Sequence, residues 1–140
     1  MITLQEQFEK DFPNKGVRGI DARDKYKNSN FTNYDLDLRE YKNLTTIDFF
    51  NSKITSLNVS GCSNLTNLAC FSNNLTSVDF LNQLLNPEKL ESLYIYNNNI
   101  QPTDIAIFSR FVNLKELKIG TMWQFLKEGK HNKFYGSFQS

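Results

Sequence analysis

One histidine, His131, and two cysteines, Cys62 and Cys70, are the residues of this 140-residue chain best suited to nucleophilic, acid–base or metal chemistry. His131 lies in KEGKHNK, a charged stretch that reads as a solvated loop. No carboxylate or nucleophile stands at a meaningful spacing from it, so it belongs to no catalytic constellation. The cysteines form no C-x-x-C pair and have no histidine beside them, which leaves neither a zinc motif nor a redox motif. Gly129-Lys130 is far from a phosphate-binding loop. The expectation is a protein without catalysis, metal or cofactor.

The aromatic residues offer a different chemistry. The stretch TTIDFFNSKITSL, from Thr45 to Leu57, sets Phe49 beside Phe50. Neighbouring side chains of a strand point to opposite faces, so one ring enters the core and the other faces outward. An outward ring is either cross-strand packing or an anchor for a ligand. The choice depends on which elements carry it.

Those elements recur. Aligned on Leu44, Leu65, Leu90 and Leu114, the chain reads LTTIDFFNSKI, LTNLACFSNNL, LESLYIYNNNI and LKELKIGTMWQ. All four carry apolar residues at offsets 0, 3 and 5, and a weaker copy, VRGIDA, starts at Val17. The first three carry another apolar residue at offset 10, with Ser52, Asn73 and Asn98 at offset 8. A second motif, Leu36-Asp-Leu38, returns as Leu57-Asn-Val59 and Val78-Asp-Phe80 at 21-residue intervals. Repetition at such periods indicates stacked units that bury a shared apolar face.

The pattern L-x-x-L-x-L-x-x-N-x-L resembles the leucine-rich repeat family, in its short 21-residue subclass. The longer later units, with NPEKL and NKFYGSF, look most like the expanded leucine-rich repeats of arbuscular mycorrhizal fungi, and the chain looks like a truncated fragment. The resemblance implies an α/β repeat solenoid with a parallel concave β-sheet and short second strands or a helix on the convex side. Units would start near residues 17, 44, 65, 90 and 114, filling 17–122. It also implies that Ser52, Asn73 and Asn98 form an inward structural ladder that bonds loop backbone.

The flanks read separately. Thr3-x-x-Glu6 is a capping box, and Leu4, Phe8 and Phe12 recur every fourth residue before Pro13. Residues 1–16 are therefore expected as a helical cap. QPTDIAIFSRFVN reads as a short outer helix. Residues 123–140, rich in aromatics, are expected as an incomplete repeat or an improvised cap. Trp123 and Phe138 are the association candidates there, for a homo-oligomer formed through the C-terminal end.

With Ile47 and Phe49 inward, Thr46, Asp48 and Phe50 face outward, and the same register aligns Phe50, Phe71 and Tyr96 in a column. Parallel strands lie ~4.8 Å apart, so these rings should touch. Tyr94, Asp48, Asp21 and Lys118 flank them. The expected function is non-catalytic recognition of a protein or peptide on the concave leucine-rich-repeat face. The alternative is an assembly fragment of a larger receptor or scaffold that self-associates through its open end.

The bulk properties agree with that class. Sixteen basic residues against fifteen acidic ones give a net charge of +1, which argues against a nucleic-acid binder. No run approaches the ~18 apolar residues of a membrane span. MITLQEQFEKDF lacks the basic and apolar regions of a secretory signal, and two cysteines are too few for a disulfide scaffold. The expected setting is the cytoplasm.

Overall fold

The structure is a computed structural model that describes residues 1–121 and 129–137. Its single described α-helix, α1 (Leu4–Asp11), starts at Thr3, whose Oγ1 accepts from Glu6 N at 3.1 Å. Leu4 and Phe8 point into the core, and the Phe8 ring lies 5.7 Å from that of Phe49. Beside that apolar face Gln5 finishes a sheet. Its Nε2 donates to Asp37 O at 3.0 Å, while its Oε1 accepts from Asp37 N at 2.7 Å. One side-chain amide thereby closes a strand edge that would otherwise present bare backbone.

The strands are β1 (Gly19–Asp21), β2 (Asp35–Asp37), β3 (Thr46–Asp48), β4 (Ser56–Asn58), β5 (Asn67–Ala69), β6 (Ser92–Tyr94), β7 (Thr103–Asp104), β8 (Glu116–Lys118) and β9 (Phe134–Tyr135). They pair in parallel throughout. A five-stranded sheet runs β1-β3-β5-β6-β8, and β2–β4 and β7–β9 form separate two-stranded sheets. Each three-residue strand sends one side chain inward: Ile20, Ile47, Leu68 and Leu93 are buried, and Leu117 is half-buried. Leu36 and Leu57 do the same from β2 and β4, so one core is shared by the five-stranded sheet and the β2–β4 sheet.

This organisation corrects the expected leucine-rich-repeat solenoid. Among the described residues the chain is a small globular fold whose pairing is divided among three sheets, not a continuous horseshoe built on one curved sheet. The physical reason is visible in the third copy of the Leu-x-Leu motif. Val78-Asp-Phe80 does not extend the β2–β4 sheet; it leads into a 3₁₀ helix at Asp79–Gln83, started by the Ser77 hydroxyl accepting from Asp79 N at 3.0 Å. Phe80 and Leu81 reach the core from that turn, so apolar burial is met without a strand. A similar substitution follows Pro102. There a 3₁₀ helix at Ile105–Arg110 buries Ile105 and Phe108, with Asp104 capping Ala106 N at 2.9 Å.

Residues 129–137 return to the body of the fold. Thr103 N donates to Lys133 O at 3.1 Å, Lys133 N donates to Ile100 O at 2.9 Å, and the Phe134 ring packs 5.5 Å from Phe108. Trp123 and Phe138, the association candidates, lie outside the described residues. Among the described residues, no helix is long and apolar enough to cross a membrane.

Candidate functional site

The outward face of the five-stranded sheet is a grid set by the pairing register. Gly19, Thr46, Asn67, Ser92 and Glu116 form one row. Asp21, Asp48, Ala69, Tyr94 and Lys118 form the next. Beyond the strand ends lie Arg23, Phe50, Phe71 and Tyr96. Every binding residue expected from sequence, namely Phe50, Phe71, Tyr96, Tyr94, Asp48, Asp21 and Lys118, therefore falls on one surface. A groove of about 470 Å³ runs over it, lined by Asp21, Arg23, Asp48, Phe71, Tyr94 and Glu116 among others.

The aromatic column is a stack. Phe50 and Phe71 lie 4.7 Å apart with planes inclined by 25°, and Phe71 and Tyr96 lie 4.5 Å apart at 12°. Both faces of Phe71 are thus covered by neighbouring rings, and its edge is what it offers to solvent. The Tyr94 ring lies 6.3 Å from that of Phe71, steeply inclined at 68°. The rings stack across the strands, and the aromatic surface that lines the groove belongs to Tyr94, Tyr96 and the edge of Phe71.

The left-handed residues just after this column explain how it is held. Asp24, Asn51, Ser72 and Asn97 all have φ of 57°. Short polar side chains tolerate that region better than most. Each N–H bonds forward across the sheet: Asp24 to Phe50 O, Asn51 to Phe71 O, Ser72 to Tyr96 O and Asn97 to Gly120 O. The turn then sends Ser52, Asn73 and Asn98 inward.

Charge on the face is mostly paired. The Arg23 guanidinium contacts the Asp21 carboxylate at 2.8 Å and reaches Asp48 at 3.9 Å. The Arg23 hydrogen bonds hold the Asp21 carboxyl below its usual range. At the other end, Tyr94 OH donates to Glu116, which raises the phenol's pKa, and Lys118 Nζ sits 4.9 Å from the centre of the Tyr94 ring. Burial, and then the Asp48 charge, push the Tyr96 phenol up as well. Between these two ends stands Ala69, the smallest side chain of its row.

Beneath the face runs the asparagine ladder. Asn73 Nδ2 donates to Phe49 O, Cys70 O and Phe71 O, and its Oδ1 accepts from Ser52 N and Ile54 N. Asn98 repeats this with Cys70 O, Ile95 O, Tyr96 O and Leu75 N. Ser52 Oγ donates to Ala22 O at 3.3 Å, the smaller version expected of a hydroxyl. Sequence reasoning missed a further member, Asn132. Its Nδ2 donates to Ile95 O, Ile119 O and Gly120 O, and its Oδ1 accepts from Ile100 N. The signal was present: Asn132-Lys-Phe134 repeats the spacing of Asn73-Asn-Leu75 and Asn98-Asn-Ile100, but displaced within a segment that reads as a loop.

Neither cysteine faces the groove. Both are free and buried; Cys62 Sγ lies 3.4 Å from Leu38 O, and burial lifts the Cys62 thiol to about 11 and the Cys70 thiol to about 12. Such thiols are poor nucleophiles at neutral pH. His131 is exposed, as a loop residue should be. Among the described residues, no group of three or more histidine, cysteine or acidic side chains is placed to hold a metal ion.

No family model, no curated protein and no solved structure matches this chain. The leucine-rich-repeat assignment and its fungal affiliation therefore do not stand, since the three-sheet fold departs from that solenoid and no relative supports it. The function drawn from that family, recognition on a leucine-rich-repeat concave face, loses its basis with it. So does the alternative of a fragment from a larger leucine-rich-repeat receptor or scaffold.

Proposed function

We propose that the groove on the five-stranded sheet is a non-catalytic receptor for a cation, an alkylammonium or guanidinium group. The observation that carries this reading is the setting of Ala69. By register it lies between Asp48 and Tyr94, so a short side chain leaves room bounded by the Asp48 carboxylate and the Tyr94 ring, with the edge of Phe71 at its margin. Cations are attracted both to carboxylates and to the faces of aromatic rings. The charged groups around the groove are three acids, Asp21, Asp48 and Glu116, against two bases, Arg23 and Lys118, in a chain whose net charge is +1. The face already holds two cations of its own in this manner, Arg23 between carboxylates and Lys118 over Tyr94.

A free small molecule and a lysine or arginine side chain of a partner polypeptide present the same head group. The partner expected from sequence, a protein or peptide, enters here only as one carrier of that charge. Two buried, unpaired thiols suit a reducing compartment, and the cytoplasm is proposed on that basis.

The test is a titration of the ¹⁵N-labelled chain with tetramethylammonium and with arginine amide, followed by amide shifts. Saturable shifts centred on Ala69, Phe71 and Tyr94 are expected. Ala69→Leu should abolish them with the spectrum otherwise native, and Asp48→Asn should weaken binding roughly tenfold. A capped lysine peptide and its alanine analogue then distinguish a free cation from one carried on a chain. Shifts that never saturate, or binding indifferent to Ala69→Leu, would overturn the reading.

A further inference from the structure

We infer that β8 is a dimerisation edge, and that it pairs with the β8 of a second copy of this chain around a two-fold axis through Leu117. The backbone carries the first part of the argument. In this sheet each strand bonds forward through a fixed set of groups. From β3, Thr45 O accepts from Thr66 N and Phe49 N donates to Ala69 O; from β6, Glu91 O accepts from Lys115 N and Ile95 N donates to Lys118 O. The forward groups thus flank the inward residue of each strand, two positions before and two after. In β8 they are Lys115 O and Ile119 N, with Leu117 between them. β8 is the last strand of the sheet, and among the described residues these groups meet no partner.

Burial supplies a second, independent observation. Leu90, Leu93 and Ile95 are 1%, 0% and 0% exposed, as their counterparts are in earlier units. Leu114, Leu117 and Ile119 occupy the same places in the last unit and are only partly buried. The apolar layer therefore reaches its end uncovered by described residues.

Charge selects the occupant. In an antiparallel pair centred on Leu117, the N–H and C=O of Leu117 exchange with those of the partner's Leu117, and Lys115 O meets the partner's Ile119 N–H. Glu116 then lies directly opposite the partner's Lys118, and Lys118 opposite the partner's Glu116. These are non-hydrogen-bonded positions, where facing side chains come closest. The order Glu-Leu-Lys is self-complementary under a two-fold axis, a property that an isologous interface requires. The same charges blunt pairing with strands that do not match them. A three-residue edge makes the association weak and concentration-dependent.

Sedimentation equilibrium of the 140-residue chain over a wide concentration range tests this. A monomer–dimer equilibrium is expected. Lys118→Glu sets like charges opposite each other twice and should weaken dimerisation roughly tenfold, whereas Glu116→Lys with Lys118→Glu restores both pairs and the dimer. Circular dichroism of the variants confirms that the fold is unchanged. A monomer at every concentration overturns the inference, as does a dimer indifferent to the single reversal. Growth beyond the dimer, which pairing of β8 with β1 would give, overturns the two-fold seam.

Discussion

Asn132 stands to Asn98 as Asn98 stands to Asn73. Each amide donates to the carbonyl of the preceding unit's inner residue and to two carbonyls at the end of its own strand. Yet Asn98 follows Asn73 by 25 residues and Asn132 follows Asn98 by 34. The extra length enters between Gly120 and Asn132, and the ladder resumes after it. A buried amide that pairs several backbone groups is costly to lose, because each orphaned group keeps its desolvation penalty.

Replacing Asn98 by Ala should therefore lower stability by about 2–4 kcal/mol, and replacing the less buried Asn132 by about 1–2 kcal/mol. Urea unfolding midpoints measure both. If Asn132→Ala changes nothing, the returning segment 129–137 does not depend on the ladder.

The ring stack can be tested apart from any ligand. Phe71 contacts Phe50 and Tyr96 on its two faces, so Phe71→Ala should cost about 1–3 kcal/mol from the lost ring pairs. A double-mutant cycle of Phe71 with Tyr96 should give a coupling of about 1 kcal/mol. Additive effects would mean that the stack contributes only by burial.

Acid should weaken the fold through the β2–β4 sheet. Asp35 accepts from Ser56 Oγ at 2.7 Å and Thr55 Oγ1 at 2.9 Å, and with Asn33 these hold its carboxyl below the usual value. A depressed folded value means the stabilisation is present above the unfolded carboxylate pKa of about 3.9 and is lost as pH falls through the folded one. Asp35→Asn should flatten part of that decline in unfolding curves recorded from neutral pH to pH ~2. An unchanged slope would show that Asp21, Asp37 and Glu40, also held low, carry the effect.

Thiol labelling reports on the core. Cys62 and Cys70 are 1% and 0% exposed, so a disulfide reagent at mild alkaline pH should react only through unfolding. Both thiols should then label at one rate, and urea should accelerate them together. Fast labelling of Cys62 alone would reveal local opening beside Leu38 and Tyr41, whose carbonyls it contacts.

Much of the candidate face was legible because a three-residue strand leaves little freedom. Once Ile47, Leu68 and Leu93 are recognised as inward, Asp48, Ala69 and Tyr94 must fall on the other side. Thr3 caps α1 for an equally local reason, since its hydroxyl has one nearby orphan N–H to satisfy. Gln5 was not legible: its amide closes β2 from 32 residues away. Nor was the place of Asn132, whose register depends on a loop that no spacing rule measures. The family resemblance failed at the same level, because shared spacing does not dictate how many strands join one sheet.

The sequence by itself determined which side chains turn inward, because alternation and apolar spacing are properties of a few adjacent residues. Only the tertiary structure decided what those units become together. It led Val78–Phe80 into a 3₁₀ helix at Asp79–Gln83 and divided the pairing of the described residues into three sheets, since burial can be met by a turn as well as by a strand. It stacked Phe71 between two rings, leaving the space over Ala69 to the neighbours Asp48 and Tyr94. Contacts between units fix such outcomes, and residues far apart in the chain supply them.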